Sequence, residues 1–240
     1  MNHSTDFADP ARRIIVALDV HDKEALLKLV RSLRGYVGMF KVGKELFTAL
    51  GPAAVELIKA EGGEVFLDLK FHDIPNTVAG AVRSAARLGV AMMTVHCSGG
   101  SAMLKAAVES AHEAINAPLV IGATVLTSLN EQDLEAIGMA GPAEEAVLRL
   151  GALGLEAGLD GLVASPKELV AIRRTFGSKP FMVTPGIRPK GAASHDQQRI
   201  ATPDQAVSDG ADFLVIGRPI TQAADPVSAA EAIADALVED

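Results

Sequence analysis

The chain reads as a single closed α/β barrel, a (β/α)8 fold whose working face lies at the C-terminal ends of its strands. Three observations predict it. Short apolar runs recur eight times along the 240 residues. The segments between them are long enough to be crossover helices, which parallel strands require and hairpins cannot replace. No linker-like stretch divides the chain, and its length suits one barrel of this kind.

The elements follow in order. R-I-I-V-A-L-D (13–19) is a β-branched strand ending at an acid, and an amphipathic helix follows from about Lys23. M-F-K-V-G (39–43) is the second strand, with a helical segment running to about Ala60 before Gly62 and Gly63. E-V-F-L-D-L-K (64–70) leads into T-V-A-G-A-V-R-S-A-A-R-L, whose small and straight-chain residues favour a helix. A-M-M-T-V-H (91–96) precedes S-A-M-L-K-A-A-V-E-S-A, and P-L-V-I-G-A-T-V-L-T (118–127) precedes a later helix, A-E-E-A-V-L-R-L-G-A-L-G-L-E. G-L-V-A (161–164) feeds P-K-E-L-V-A-I-R-R, P-F-M-V-T-P (180–185) feeds a polar excursion, and A-D-F-L-V-I-G (211–217) feeds the terminal helix. The excursion, G-I-R-P-K-G-A-A-S-H-D-Q-Q-R-I-A-T (186–202), has the Gly, Pro and polar content of a long loop at a barrel mouth. Residues 1–12 read as an N-terminal extension to a barrel that otherwise takes up the whole chain, 1–240.

Composition narrows the function classes. Hydrophobic residues make up 49% of the chain, enough for a large core, and the formal charge is -8. An acidic chain without interleaved aromatic and basic residues has no general means of displacing counterions from a phosphate backbone, so no nucleic-acid partner is expected. The single cysteine, Cys97, rules out an internal disulfide and a multi-cysteine metal site, and suits a reducing cytoplasm. Beside His96 it reads more readily as a buried small hydrophobe than as a nucleophile. Neither a signal-peptide pattern nor an apolar run of about 20 residues is present, so no membrane is expected either.

Charges sit where a barrel brings strand ends together: Asp19 after the first strand, Lys41 on the second, Asp68 and Lys70 on the third, and Asp73 in the turn beyond. Strand alternation places Asp68 and Lys70 on one side of an extended chain. An ordinary ion pair at a strand end is the plain alternative. Barrel topology favours a site.

These residues lie in a pattern that resembles the orotidine 5'-phosphate decarboxylase family across nearly the full length. D-L-K-F-H-D-I-P-N-T (68–77) is its most specific part. A-L-D-V, K-V-G, V-L-T-S, T-P-G-I-R-P and I-G-R-P reinforce it in order. The resemblance implies decarboxylation of orotidine 5'-phosphate to UMP and carbon dioxide, the last step of de novo UMP synthesis, without cofactor or metal. It implies a catalytic array of Lys41, Asp68, Lys70 and Asp73, with Lys70 as proton donor. It also implies a homodimer in which Asp73 and Thr77 cross to the partner's site. Substrate contacts carried over by the same resemblance are Asp19 and Lys41 at the ribose, Thr127 at the pyrimidine edge, and Arg188, Gln197, Gly217 and Arg218 around the phosphate. Packing or hydrogen bonding is the expected role of His72, while His96 and His195 form no convincing metal cluster. Two other readings stand beside this one. A sugar-phosphate decarboxylase or aldolase would share D-x-K-x-x-D, and a silent nucleotide-binding barrel would retain the phosphate grip.

Overall fold

The computed structural model describes residues 9–139, 141–189 and 200–238. Eight parallel strands close into a barrel in sequence order, the last returning to pair with the first. They are β1 (Ile14–Ala17), β2 (Met39–Gly43), β3 (Val65–Phe71), β4 (Met92–His96), β5 (Leu119–Ala123), β6 (Gly161–Val163), β7 (Phe181–Pro185) and β8 (Phe213–Ile216). Each lies within or against the run expected for it. Strands 1 and 5 are shorter than their apolar runs, because Arg13 belongs to a 3-10 turn (Pro10–Arg13) and the chain leaves β5 at Ala123.

The helices in chain order are α1 (Lys23–Leu33), α2 (Lys44–Leu50), α3 (Ala53–Ala60), α4 (Pro75–Arg87), α5 (Gly100–His112), α6 (Glu131–Ala136), α7 (Ala143–Glu156), α8 (Leu169–Phe176), α9 (Pro203–Ser208), α10 (Arg218–Thr221) and α11 (Pro226–Asp235). The segment expected as one helix to Ala60 is two. Gly51 takes a φ of 61° at the end of α2, and Pro52, which has no amide hydrogen, caps α3. Asn130 and Asp133 form a reciprocal capping box that starts α6.

Strand parity divides the core into two shells. Ile15, Ala17, Phe66, Met92, Ile121, Val183, Phe213 and Val215 fill the barrel itself. Their neighbours of opposite parity, including Ile14, Val16, Val42, Leu67, Met93 and Val95, pack outward against the helices. Full burial of such aliphatic side chains contributes about 1.5–3 kcal/mol each relative to exposure. At the N-terminal ends of β7 and β8 a polar clamp completes the structure. Asp212 Oδ2 accepts from Arg173 Nη2 at 2.6 Å and from the Met182 amide at 2.7 Å. Arg173 also donates to the carbonyls of Gly210 and Pro180. Among the described residues no helix is long and apolar enough to cross a membrane.

Candidate active site

The site is built around an irregularity in β3. Regular pairing with β4 runs through Phe66↔Met92 and Leu67↔Met93, then resumes at Phe71↔Val95. Between those pairs β3 has three residues, Asp68, Leu69 and Lys70, where β4 has only Thr94. Lys70 takes a φ of 52°, the only positive φ at a non-glycine residue among those described. A side chain held in this region costs on the order of 1–3 kcal/mol, and such strain concentrates at functional sites. Asp68 and Lys70 therefore do meet, but through a bulge rather than through the simple alternation expected from the sequence.

The contacts at the bulge form a short chain of charge. Lys70 Nζ donates to Asp68 Oδ1 at 2.7 Å, and Thr94 Oγ1 donates to the same oxygen at 3.0 Å. The other oxygen, Asp68 Oδ2, is 3.8 Å from Lys41 Nζ, which is in turn 3.8 Å from Asp19 Oδ1. Burial by itself would raise the Asp68 carboxyl pKa. The charges of Lys70 and Lys41, with the hydrogen bonds from Lys70 and Thr94, outweigh that effect and hold it below its ordinary value. Gly43 leaves room for the array: a Cβ there would lie 2.9 Å from Lys41 Nζ.

These side chains line a cavity of ≈ 380 Å³ at the C-terminal mouth of the barrel. Its floor is apolar, with Ala17, Phe66, Ala123, Val163, Val183 and Val215. Its charged lining is Asp19, Lys41, Asp68, Lys70, Arg188 and Arg218, four basic residues against two acidic ones in a chain of formal charge -8. Thr127 and Gly217 line it too. Arg188 is buried, with its Nη1 donating to the Ile187 carbonyl at 2.8 Å, and its amide donates to Ala201 at 2.9 Å.

Not every expected residue joins this cavity. Asp73 and Thr77 are exposed on the β3–α4 turn and the first turn of α4, and they do not line the mouth of their own chain. Asp73 Oδ1 accepts from the Ile74 amide at 2.6 Å. Gln197 and His195 lie outside the described residues. His72 and His96 stack with ring centroids 5.3 Å apart, and Ser98 Oγ lies 2.8 Å from His96 Nδ1. Burial, with electrostatic repulsion from His72, Lys70 and Lys44, lowers the His96 pKa, favouring the neutral ring. Cys97 is buried and its thiol is pushed up to about 12, as expected for an inert packing residue. Among the described residues no group of three or more His, Cys, Asp or Glu side chains is placed to hold a metal ion.

Sequence reasoning missed Thr94. The available signal was parity: Met92, Thr94 and His96 alternate on one face of β4, so a hydroxyl stands where an interior apolar residue would serve packing alone.

Comparison with known proteins identifies the family and the fold. The model of the Orotidine 5'-phosphate decarboxylase / HUMPS family matches residues 12–233. The orotidine 5'-phosphate decarboxylase of Moorella thermoacetica is 57% identical over 228 residues, covering 92% of this chain and 90% of its own. That of Syntrophotalea carbinolica is 52% identical over 231 residues, with 94% and 95% covered. The crystal structure of the Lactobacillus acidophilus orotidine 5'-phosphate decarboxylase superposes with a TM-score of 0.85 at 37% identity, covering 94% of this chain and 99% of that one. With a matching family model over nearly all its length, relatives above half identity and the same closed barrel, the chain belongs to the Orotidine 5'-phosphate decarboxylase / HUMPS family.

Proposed function

We propose that the mouth decarboxylates orotidine 5'-phosphate to UMP and carbon dioxide, the final step of UMP biosynthesis. The observation that carries this reading is the Lys70 ammonium, held 2.7 Å from Asp68 in a mouth with an apolar floor. Breaking the bond between pyrimidine C6 and its carboxylate leaves an electron pair on C6. A cation oriented before that charge develops lowers the barrier without reorganisation. Lys70 then transfers a proton to C6 and is reprotonated from solvent. The bond electrons stay on the ring throughout, so the step is redox-neutral and proceeds with side chains alone, without cofactor. Asp68 holds the Lys70 ammonium in place through their 2.7 Å contact and stands near the departing carboxylate; its repulsion is relieved as neutral carbon dioxide forms.

Binding divides along the mouth. Lys41 and Asp19 hold the ribose hydroxyls, Thr127 meets the pyrimidine edge, and Arg188, Gln197, Gly217 and Arg218 hold the phosphate. Local excess of basic side chains supports this arrangement, since the substrate brings both a phosphate and a carboxylate. A Cβ at Gly217 would make only ordinary contacts, the nearest at 3.5 Å to Ala17, so the space beside that backbone is open to a ligand oxygen.

The active unit is a homodimer that works in the cytoplasm. Asp73 and Thr77 reach the partner's mouth; their exposure, their absence from their own cavity and the neighbouring Ile74, 67% exposed, support this.

Purified protein treated with a chelator should release carbon dioxide from orotidine 5'-phosphate and form UMP in equal amounts. Folded protein inert toward this nucleotide, but active with magnesium on a keto sugar phosphate, would assign the site to a sugar-phosphate decarboxylase or aldolase instead.

A further inference from the structure

We propose that Thr94 is a positioning residue for the decarboxylation, a single hydroxyl that sets both the backbone of Lys70 and the carboxylate of Asp68. The inference rests on the assignment of Lys70 and Asp68 to the chemical step.

The geometry gives Thr94 two jobs at once. Its Oγ1 accepts from the Lys70 amide at 2.9 Å and donates to Asp68 Oδ1 at 3.0 Å. A hydroxyl has one proton to give and lone pairs to receive, so it can serve both neighbours without conflict. The first contact answers a need created by the bulge. Where three residues of β3 face one of β4, the regular ladder is interrupted, and Thr94 supplies the Lys70 amide with an acceptor while Lys70 sits at a φ of 52°. The second contact fixes the plane of the Asp68 carboxylate. With Oδ1 shared between Thr94 and the Lys70 ammonium, Oδ2 is left toward Lys41.

Thr94 is fully buried, so water does not compete for either bond. Around it the charged groups are Asp68 and Lys70 on β3 and Lys41 on β2, with Asp19 beyond β1 reached through Lys41. A side chain of the same shape without the hydroxyl would keep the packing and lose both bonds. The Lys70 backbone would then relax toward ordinary strand geometry, moving the ammonium away from the place where charge develops.

The test compares Thr94→Val, Thr94→Ser and Lys70→Ala in one direct decarboxylation assay, with folding checked by thermal melting. Thr94→Val should lower kcat roughly 10- to 100-fold while KM stays within about threefold, because two hydrogen bonds at the reacting groups are lost and the ribose and phosphate contacts remain. Thr94→Ser, which keeps the hydroxyl, should stay within about threefold of the parent. The acidic limb of the Thr94→Val kcat profile should also move to higher pH, since the hydrogen bond that helps Asp68 stay ionised is gone. If Thr94→Val does not fold, Thr94→Ala makes the same comparison with no steric demand. A folded variant lacking the hydroxyl that keeps parental kcat and an unmoved acidic limb would overturn the proposal. Lys70→Ala separates the two levels. If it is inactive while Thr94→Val is normal, only the role of Thr94 fails; if it retains normal turnover, the assignment of the chemical step fails and the role of Thr94 with it.

Discussion

Asp68 divides its two oxygens between two lysines, and that division predicts how acid acts on the protein. Its pKa is depressed in the folded state, so on acidification the unfolded chain takes up this proton first. The stability it contributes is therefore fully present above the unfolded value of about 4 and is lost as pH falls through the lower folded value. Asp68→Asn should cost about 1–3 kcal/mol at neutral pH, where Lys41 and Lys70 are left without their shared carboxylate. The deficit should shrink below about pH 4, where the unfolded parent chain begins to take up the proton that its folded state still refuses. Melting temperatures of both proteins from pH 7 to pH 3 check this, and a deficit that stays constant over the range would contradict an ionised Asp68 in the fold. Lys70 shows the complementary feature at this scale: its charge is legible in the sequence, and its strained backbone is not.

At the level of elements, the end of β2 shows how a small residue protects a charged one. Gly43→Ala would place a Cβ 2.9 Å from Lys41 Nζ, forcing the ammonium to shift. The strand should survive, with melting within a few degrees of the parent. A displacement approaching 1 Å in a catalytic array reduces kcat/KM by up to about 100-fold, so a fall of roughly 10- to 100-fold is expected in steady-state assays. The eight strands were legible because each is a short β-branched or apolar run, five of which stop at a glycine, proline or charged residue: Asp19, Gly43, Lys70, Pro185 and Gly217. The helix break at Gly51 and Pro52 was missed, although the two residues that make it stand in the sequence. By contrast, the β3 bulge is a compromise between two strands, and nothing in V-F-L-D-L-K-F by itself states how many of its residues β4 will face. Thr94 was missed for the same reason, since its importance comes from the bulge opposite it. Roles carried over for Gln197 and for the crossing of Asp73 and Thr77 depend on chain outside the described residues or on a second copy.

On the scale of the whole molecule, the exposed turn containing Asp73 and Ile74 leads to a prediction about assembly. Lys70→Ala and Asp73→Ala proteins, each inactive alone, should regain activity when their subunits are exchanged. A mixed dimer then has one site with an intact Lys70 and an intact Asp73 from the partner, while its other site carries both lesions. Random exchange at equal concentrations makes about half the dimers mixed, so about one quarter of normal activity should return. Native mass measurement verifies the mixed species, and verified heterodimers without activity would argue that each mouth is complete within its own chain. The barrel also separates its two ends. Arg173 and Asp212 tie β7 to β8 at the ends where those strands begin, while Pro185, Arg188 and Gly217 face the mouth where they finish. The consequence is a matter of descent rather than of chemistry: lineages that move between cold and hot habitats can revise the clamp, residue by residue, and leave the reaction at the opposite end of the same strands as they inherited it.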